Sequence, residues 1–153
     1  MNHKDLEILL VEDDPADAEL TTRSLQKQER AAKITVARDG EEALNFLFCR
    51  GQFAGREQNR LPRVVLLDLK LPRVSGHEVL KAIKSDERTK CIPVIVMTSS
   101  NHEKDLVECY QNGVNSYIQK PTELTKFRES VKNFGIYWLT VNHAVPEAAI
   151  PTQ

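Results

Sequence analysis

Three short, almost wholly apolar runs constrain this chain most: Leu6–Val11, Val64–Leu67 and Val94–Met97. None alternates with period two, so each reads as a central strand buried on both faces. Lys33–Ala37 and Ser116–Gln119 mix polar and apolar residues, as edge strands do. Helical patterns lie between the five strands. One starts after Asp14-Pro15, an N-cap followed by proline at the first helical position. A second follows Asp39-Gly40 and runs to about Arg50. A third starts at Ser75 with Glu78 completing a capping box. A fourth starts near Ser100, with Glu103 in the same relation, and stops at Asn112-Gly113. A fifth runs from Thr122 to about Val141. Alternating strand and helix predict an α/β fold, a doubly wound five-stranded parallel sheet with right-handed crossovers. The edge character of the second and fifth strands fits the order 2-1-3-4-5, one of the common doubly wound forms.

Composition removes other classes. The 153 residues suit one ordinary domain, and the net charge of −1 gives no basic excess for nucleic acid. No apolar run approaches a membrane span, and the N-terminus lacks the apolar core of a signal peptide. Cys49, Cys91 and Cys109 are few and widely spaced, which suits buried thiols in a reducing cytoplasm. Gly51–Pro62 is polar and long for a helix-to-strand connection, and reads as a surface insertion. Residues 1–141 are expected to form the domain, and 142–153, with Pro146 and Pro151, a flexible tail.

In open α/β sheets ligands bind beyond the carboxyl ends of the strands. Glu12, Asp13 and Asp14 follow the first strand, Asp68 ends the third, Thr98 and Ser99 end the fourth, and Lys120-Pro121 ends the fifth. Asp14 is explained by its cap. Asp68 interrupts an apolar run, and a buried carboxylate without partners is costly. Two carboxylates ~5 Å apart repel by roughly 3 kcal/mol at an effective dielectric of 20, so a cluster of three calls for a cation. Hard oxygen donors in an open cluster suit Mg²⁺. His77 and His102 read as capping or solvent-exposed residues rather than ligands. A carboxylate nucleophile, a divalent metal, a hydroxyl and a lysine together describe a phosphoryl-accepting site.

The segments Leu9-Leu10-Val11-Glu12-Asp13-Asp14, Leu67-Asp68-Leu69-Lys70-Leu71-Pro72 with Ser75-Gly76, Met97-Thr98-Ser99 and Tyr117-Ile118-Gln119-Lys120-Pro121 resemble the receiver domains of two-component response regulators. The resemblance covers about residues 5–141 and implies the flavodoxin-like receiver fold. It implies that Asp68 is the phosphoacceptor for a histidine kinase. Asp13, Asp68 and the Lys70 carbonyl would bind Mg²⁺, with Glu12 acting through water. Thr98 would move towards the phosphoryl group with Tyr117 swinging inward, and Lys120 would pair with its oxygens. Lys120-Pro121 would be cis. Glu12 departs from the more usual Asp, and Ser99 from a smaller residue, which bears on access and phosphate lifetime. The insertion and the ending Phe134-Gly135-Ile136-Tyr137-Trp138-Leu139 look like the regulators that partner bacterial and cyanobacterial phytochromes, so a phytochrome kinase is an implied partner.

The spacing of Leu124, Phe127, Val131, Phe134, Trp138 and Val141 predicts one apolar helical stripe. A helix over 123–141 spans ~28 Å, whereas a five-residue strand spans only ~17 Å, so its last turns should overhang the sheet. That overhang suggests a two-fold homodimer through the fourth helix, fifth strand and fifth helix, with Phe127, Phe134, Tyr137 and Trp138 at the interface. About a dozen residues follow, so the expected output is protein–protein contact, sequestration of phosphate or relay to another phosphotransfer protein, with slow self-catalysed loss of the phosphoryl group. The competing reading is a Mg²⁺-dependent phosphatase with an aspartyl-phosphate intermediate. That class places a second acid two residues after the nucleophile, where this chain has Lys70. A flavin module should carry a Ser/Thr/Gly-rich loop after the first strand, where three acids stand instead. A degenerate receiver used only for binding would not keep Asp68, Thr98 and Lys120.

Overall fold

The computed structural model describes residues 6–151; the expectations for residues 1–5 and 152–153 lie outside them. Five strands, β1 (Glu7–Val11), β2 (Lys33–Ala37), β3 (Val64–Leu67), β4 (Val94–Thr98) and β5 (Ser116–Gln119), form one sheet. All neighbours pair in parallel in the order 2-1-3-4-5. The helices are α1 (Pro15–Gln28), α2 (Gly40–Leu47), α3 (Gly76–Ser85), α4 (Glu103–Gln111) and α5 (Leu124–Ile136). No helix among the described residues is long and apolar enough to cross a membrane.

Strand alternation divides the core in two. Ile8, Leu10, Val64, Leu66, Ile95 and Met97 pack with Leu25 of α1 and Phe127, Val131 and Phe134 of α5. Leu9, Val11, Val65, Leu67, Val94 and Val96 face the other way, onto Phe46, Leu47, Leu80, Ile83 and Cys109 of α2, α3 and α4. Central strands thus meet apolar helices on both faces, which is why they read as continuous apolar runs. Asp14 caps α1, accepting from the amides of Ala16 and Asp17. Ser75 and Glu78 form the expected capping box on α3.

Several expectations are corrected. α2 ends at Leu47 rather than near Arg50, because Cys49 takes φ 54°, outside the right-handed helical region. α4 starts at Glu103 after an extended His102, not at Ser100, whose hydroxyl instead donates to Asp105 Oδ2 at 2.6 Å. Of the three cysteines only Cys109 is buried; Cys49 is half-buried and Cys91 exposed. No peptide bond among the described residues is cis, so Lys120–Pro121 is trans, the form X–Pro bonds favour by about 0.5–1 kcal/mol.

The apolar stripe of α5 also breaks. After Ile136 the backbone passes into a π-helical turn, Tyr137–Val141. The wider turn shifts the buried face by one position. Leu139, absent from the stripe, is therefore buried at 2%, while Val141 is exposed at 54%. Leu124 at the other end is exposed as well. Phe127 and Phe134, expected at a dimer interface, lie instead in this chain's own core.

The insertion is pinned rather than loose. It opens with a 3₁₀ turn, Gly51–Phe53. Arg56 stacks 3.5 Å over the Phe46 ring and donates to the carbonyls of Phe46 and Arg60. Arg88, itself buried, donates to the carbonyls of Leu47 and Gln58.

Candidate functional site at the carboxyl edge of the sheet

Strand register builds the site. Val11 stands opposite Leu67, and Leu67 opposite Val96. The ladder runs one residue further, with the Asp68 amide donating to Val11 O at 3.0 Å and the Lys120 amide to Thr98 O at 2.7 Å. Glu12, Asp68 and Lys120 are therefore delivered to one edge by backbone pairing. Pro15 and the Asp14 cap then turn the chain away, leaving Asp13 exposed beside buried Glu12 and Asp68.

Lys120 Nζ lies at the centre. It donates to Glu12 Oε2 at 2.8 Å, Asp68 Oδ2 at 3.0 Å and Asp17 Oδ2 at 3.1 Å. Burial works against its charge, but the hydrogen bond to Glu12 and the charges of Asp68 and Glu12 prevail and hold its pKa above the ordinary lysine value. Glu12 moves upward, to about 7. Burial is the largest cause; the Lys120 hydrogen bond opposes it, and the Asp68 charge adds to it. One ammonium among these carboxylates leaves the edge strongly negative.

Oxygen atoms of Glu12, Asp13 and Asp68 lie within 4.8 Å of one another, a spacing one cation can span. The set is all carboxylate, and exposed Asp13 gives an entry from solvent, so it suits a hard divalent ion. The Lys70 amide donates to Asp68 Oδ1 at 3.2 Å, fixing that carboxylate from the loop side. Gly76 allows the loop to close: a Cβ there would lie 2.3 Å from Asp68 O and 2.5 Å from Leu69 Cα.

Thr98 is fully buried, and its hydroxyl accepts from the Ser100 amide at 3.3 Å. Ser99 beside it is exposed. The Tyr117 ring packs on the core between the sheet and α2, α3 and α4, with its hydroxyl buried, and burial pushes its phenol up. Pro121 is half-buried behind Lys120. Tyr137 is exposed and Trp138 half-buried, in edge-to-face contact at 4.9 Å, on the overhang away from this edge.

Sequence reasoning missed Asp17. It sits on the first turn of α1, three residues after the cap, where an acid reads as complement to the helix dipole. Only the position of Lys120 reveals its second contact. Of the two histidines expected to be capping or exposed, one differs. His102 is exposed, but His77 reaches across from α3 to Asp105 of α4 at 2.9 Å.

Comparison with known proteins agrees with the geometry. The response regulator receiver domain model matches residues 8–132. The chain is 44% identical over 137 residues to the probable methanogenesis regulatory protein FilR2 of Methanothrix harundinacea, covering 90% of this chain and 86% of that one. It is 37% identical over 132 residues to response regulator Rcp1 of Synechocystis sp., covering 86% and 88%. The Mn²⁺-bound form of Rcp1 superposes with a TM-score of 0.86 at 34% identity, covering 92% of this chain and 99% of that one. The phosphorylated cyanobacterial phytochrome response regulator RcpA gives 0.86 at 36% identity, covering 92% and 98%. Receiver domains bind a divalent metal at an acidic pocket of this kind and act as signalling modules for histidine kinases. In sequence, strand order and the contents of the sheet's carboxyl edge, this chain belongs to the response regulator receiver family and is related to the phytochrome response regulators.

Proposed function

We propose that the chain accepts a phosphoryl group on Asp68 from a histidine kinase and signals by protein–protein contact. The observation that carries this reading is the Asp68 carboxylate, held at a strand end with one oxygen on Lys120 Nζ and the other on the Lys70 amide. An Asp68 oxygen attacks phosphorus, and the bond to the kinase imidazole breaks. Lys120 is placed to pair with the phosphoryl oxygens, and the Thr98 hydroxyl, which now only accepts, can donate to one of them. Asp13, Asp68 and the Lys70 carbonyl would hold Mg²⁺, with Glu12 reaching it through water. When bound, Mg²⁺ neutralises charge on the phosphoryl oxygens.

Intact mass after incubation with Mg²⁺ and acetyl phosphate tests this. We expect one adduct of ~80 Da on the wild type and none on Asp68→Asn. Steady phosphate release without an adduct would favour the phosphatase reading. That reading is weakened here because exposed Lys70 stands where its general acid belongs.

For the kinase we propose a phytochrome, since RcpA is described as a phytochrome response regulator. FilR2 is named for methanogenesis, so phosphotransfer should be measured from a phytochrome kinase and from one of another type. Transfer from the second alone would overturn the phytochrome assignment. A two-fold dimer through α4, β5 and α5 remains part of the proposal, now resting on Tyr137 and Trp138 without Phe127 and Phe134. Sedimentation showing a monomer at high micromolar concentration, with and without phosphorylation, would refute it.

A further inference from the structure

A second cluster of ligating side chains lies between α3 and α4, outside the phosphoryl-accepting edge. Here we propose that His77, Asp105 and Glu108 form a site for a divalent transition-metal ion of the Zn²⁺ type.

The three donor atoms lie within 4.8 Å of one another. His77 Nε2 is 2.9 Å from Asp105 Oδ1 and 3.6 Å from Glu108 Oε2. Ligands around a tetrahedral ion with bonds of ~2.0–2.1 Å stand ~3.3–3.4 Å apart, between those two distances. Nε2 carries at most one hydrogen, yet two separate carboxylates converge on it. A hydrogen bond can serve only one of them, whereas a divalent ion answers both charges and takes the nitrogen lone pair. One imidazole with two carboxylates favours a borderline ion over Mg²⁺, which suits the all-oxygen set at Asp13 and Asp68. The donor sets therefore sort metals between the two places.

The surroundings are those of a supported ligand set. Asp105 accepts from Ser100 Oγ through Oδ2, which leaves Oδ1 for the ion. His77 Nδ1 faces Cys109 Sγ at 3.8 Å, so a weak acceptor stands ready for an Nδ1 hydrogen once Nε2 takes an ion. The Glu108 side chain is 45% exposed, so ions can enter and water can complete the coordination.

The site would matter because α4 is lightly held. Cys109 is its only buried residue. An ion there ties α4 to α3 and, through Asp105 and Ser100, to the loop that follows Thr98.

Calorimetric titration of the full chain with Zn²⁺ tests the assignment, alongside His77→Gln, Glu108→Gln, Asp13→Asn and Cys91→Ser. We expect one equivalent bound by Asp13→Asn, whose carboxylate site at the sheet edge is disabled, and the same site filled, beside any binding at that edge, in the wild type and Cys91→Ser. His77→Gln and Glu108→Gln should each weaken it at least about tenfold, the loss even outer partners of a metal can cause. Glu108 is half-exposed, so its variant will fold even if His77→Gln does not. The His77 imidazole ¹⁵N resonances should shift on addition of Zn²⁺. No binding, affinity unchanged in both ligand variants, or affinity lost with Asp13→Asn or Cys91→Ser would each overturn the site.

Discussion

Replacing Glu12 by Gln should stabilise the metal-free protein, by an amount that grows with pH. Glu12 is 5% exposed, and its pKa rises from 4.5 to about 7, with burial as the main cause. The folded state therefore binds this proton more tightly than the unfolded chain. The resulting stability is fully present below pH 4.5, falls as pH rises towards 7, and stays lost above. The difference between 4.5 and about 7 corresponds to about 3 kcal/mol. Glutamine keeps the shape and an oxygen for Lys120 but carries no charge. Its advantage over the wild type should be about 1 kcal/mol near pH 5.5 and about 3 kcal/mol above pH 8, without added metal. Other groups titrate in both proteins and cancel in the comparison. Urea unfolding at pH 5.5, 7 and 8.5 reads this directly, as a midpoint difference on the order of 1–2 M at the highest pH. Mg²⁺ should shrink the difference, since a cation favours the charged carboxyl. A difference independent of pH, or a less stable variant at pH 8.5, would show that the Lys120 bond outweighs burial and refute the argument.

Gly76→Ala should cost about 2–3 kcal/mol and impair phosphoryl acceptance, because its Cβ meets only backbone, at Asp68 O and Leu69 Cα; thermal unfolding and intact mass check both parts. Arg88→Met should cost about 2–3 kcal/mol by leaving the Leu47 and Gln58 carbonyls without their donor, and should expose 51–62 to limited proteolysis. Leu139→Ala should cost about 2–4 kcal/mol, while Tyr137→Ala should leave the monomer's urea midpoint nearly unchanged, since the π turn buries the first and exposes the second; the reverse order would mean that the helical register continues without it.

The sheet was legible because buried parallel strands carry their own signature. Val64–Leu67 has no polar residue to place, and Asp68 marks where that burial meets the edge. Once the order 2-1-3-4-5 is set, Glu12, Asp68, Thr98 and Lys120 must share one end, so the main site followed from topology. What escaped depended on side-chain reach or on one hydrogen bond. Ser100 looked like a cap because the Glu three residues later fits the pattern, but its hydroxyl prefers the nearby Asp105 carboxylate. The π turn has no marker in Tyr137–Val141, and one extra residue per turn is enough to exchange Leu139 for Val141. Asp17 and His77 each have an ordinary role on their own helix, and only the partner element gives them a second one.

The two ends of the sheet carry opposite electrostatic designs. At the carboxyl edge, several acids share one ammonium, and burial of Glu12 outweighs its bond to Lys120, so its charge stays only partly met. That end is built to gain most from cations that arrive from outside. At the amino edge, Glu7 is equally buried, at 4% exposure, but Arg56 and Arg60 approach it from the insertion at 3.9 and 3.8 Å. Its pairing comes from within the chain and needs no ligand. Arg56 and Arg88 add carbonyl contacts and aromatic stacking around Phe46 and Phe48. Separating unmet charge at one end from met charge at the other lets the site stay poised without loosening the strands that hold it. The insertion, which reads in sequence as surface decoration, is thereby what pairs the buried carboxylate of the amino edge.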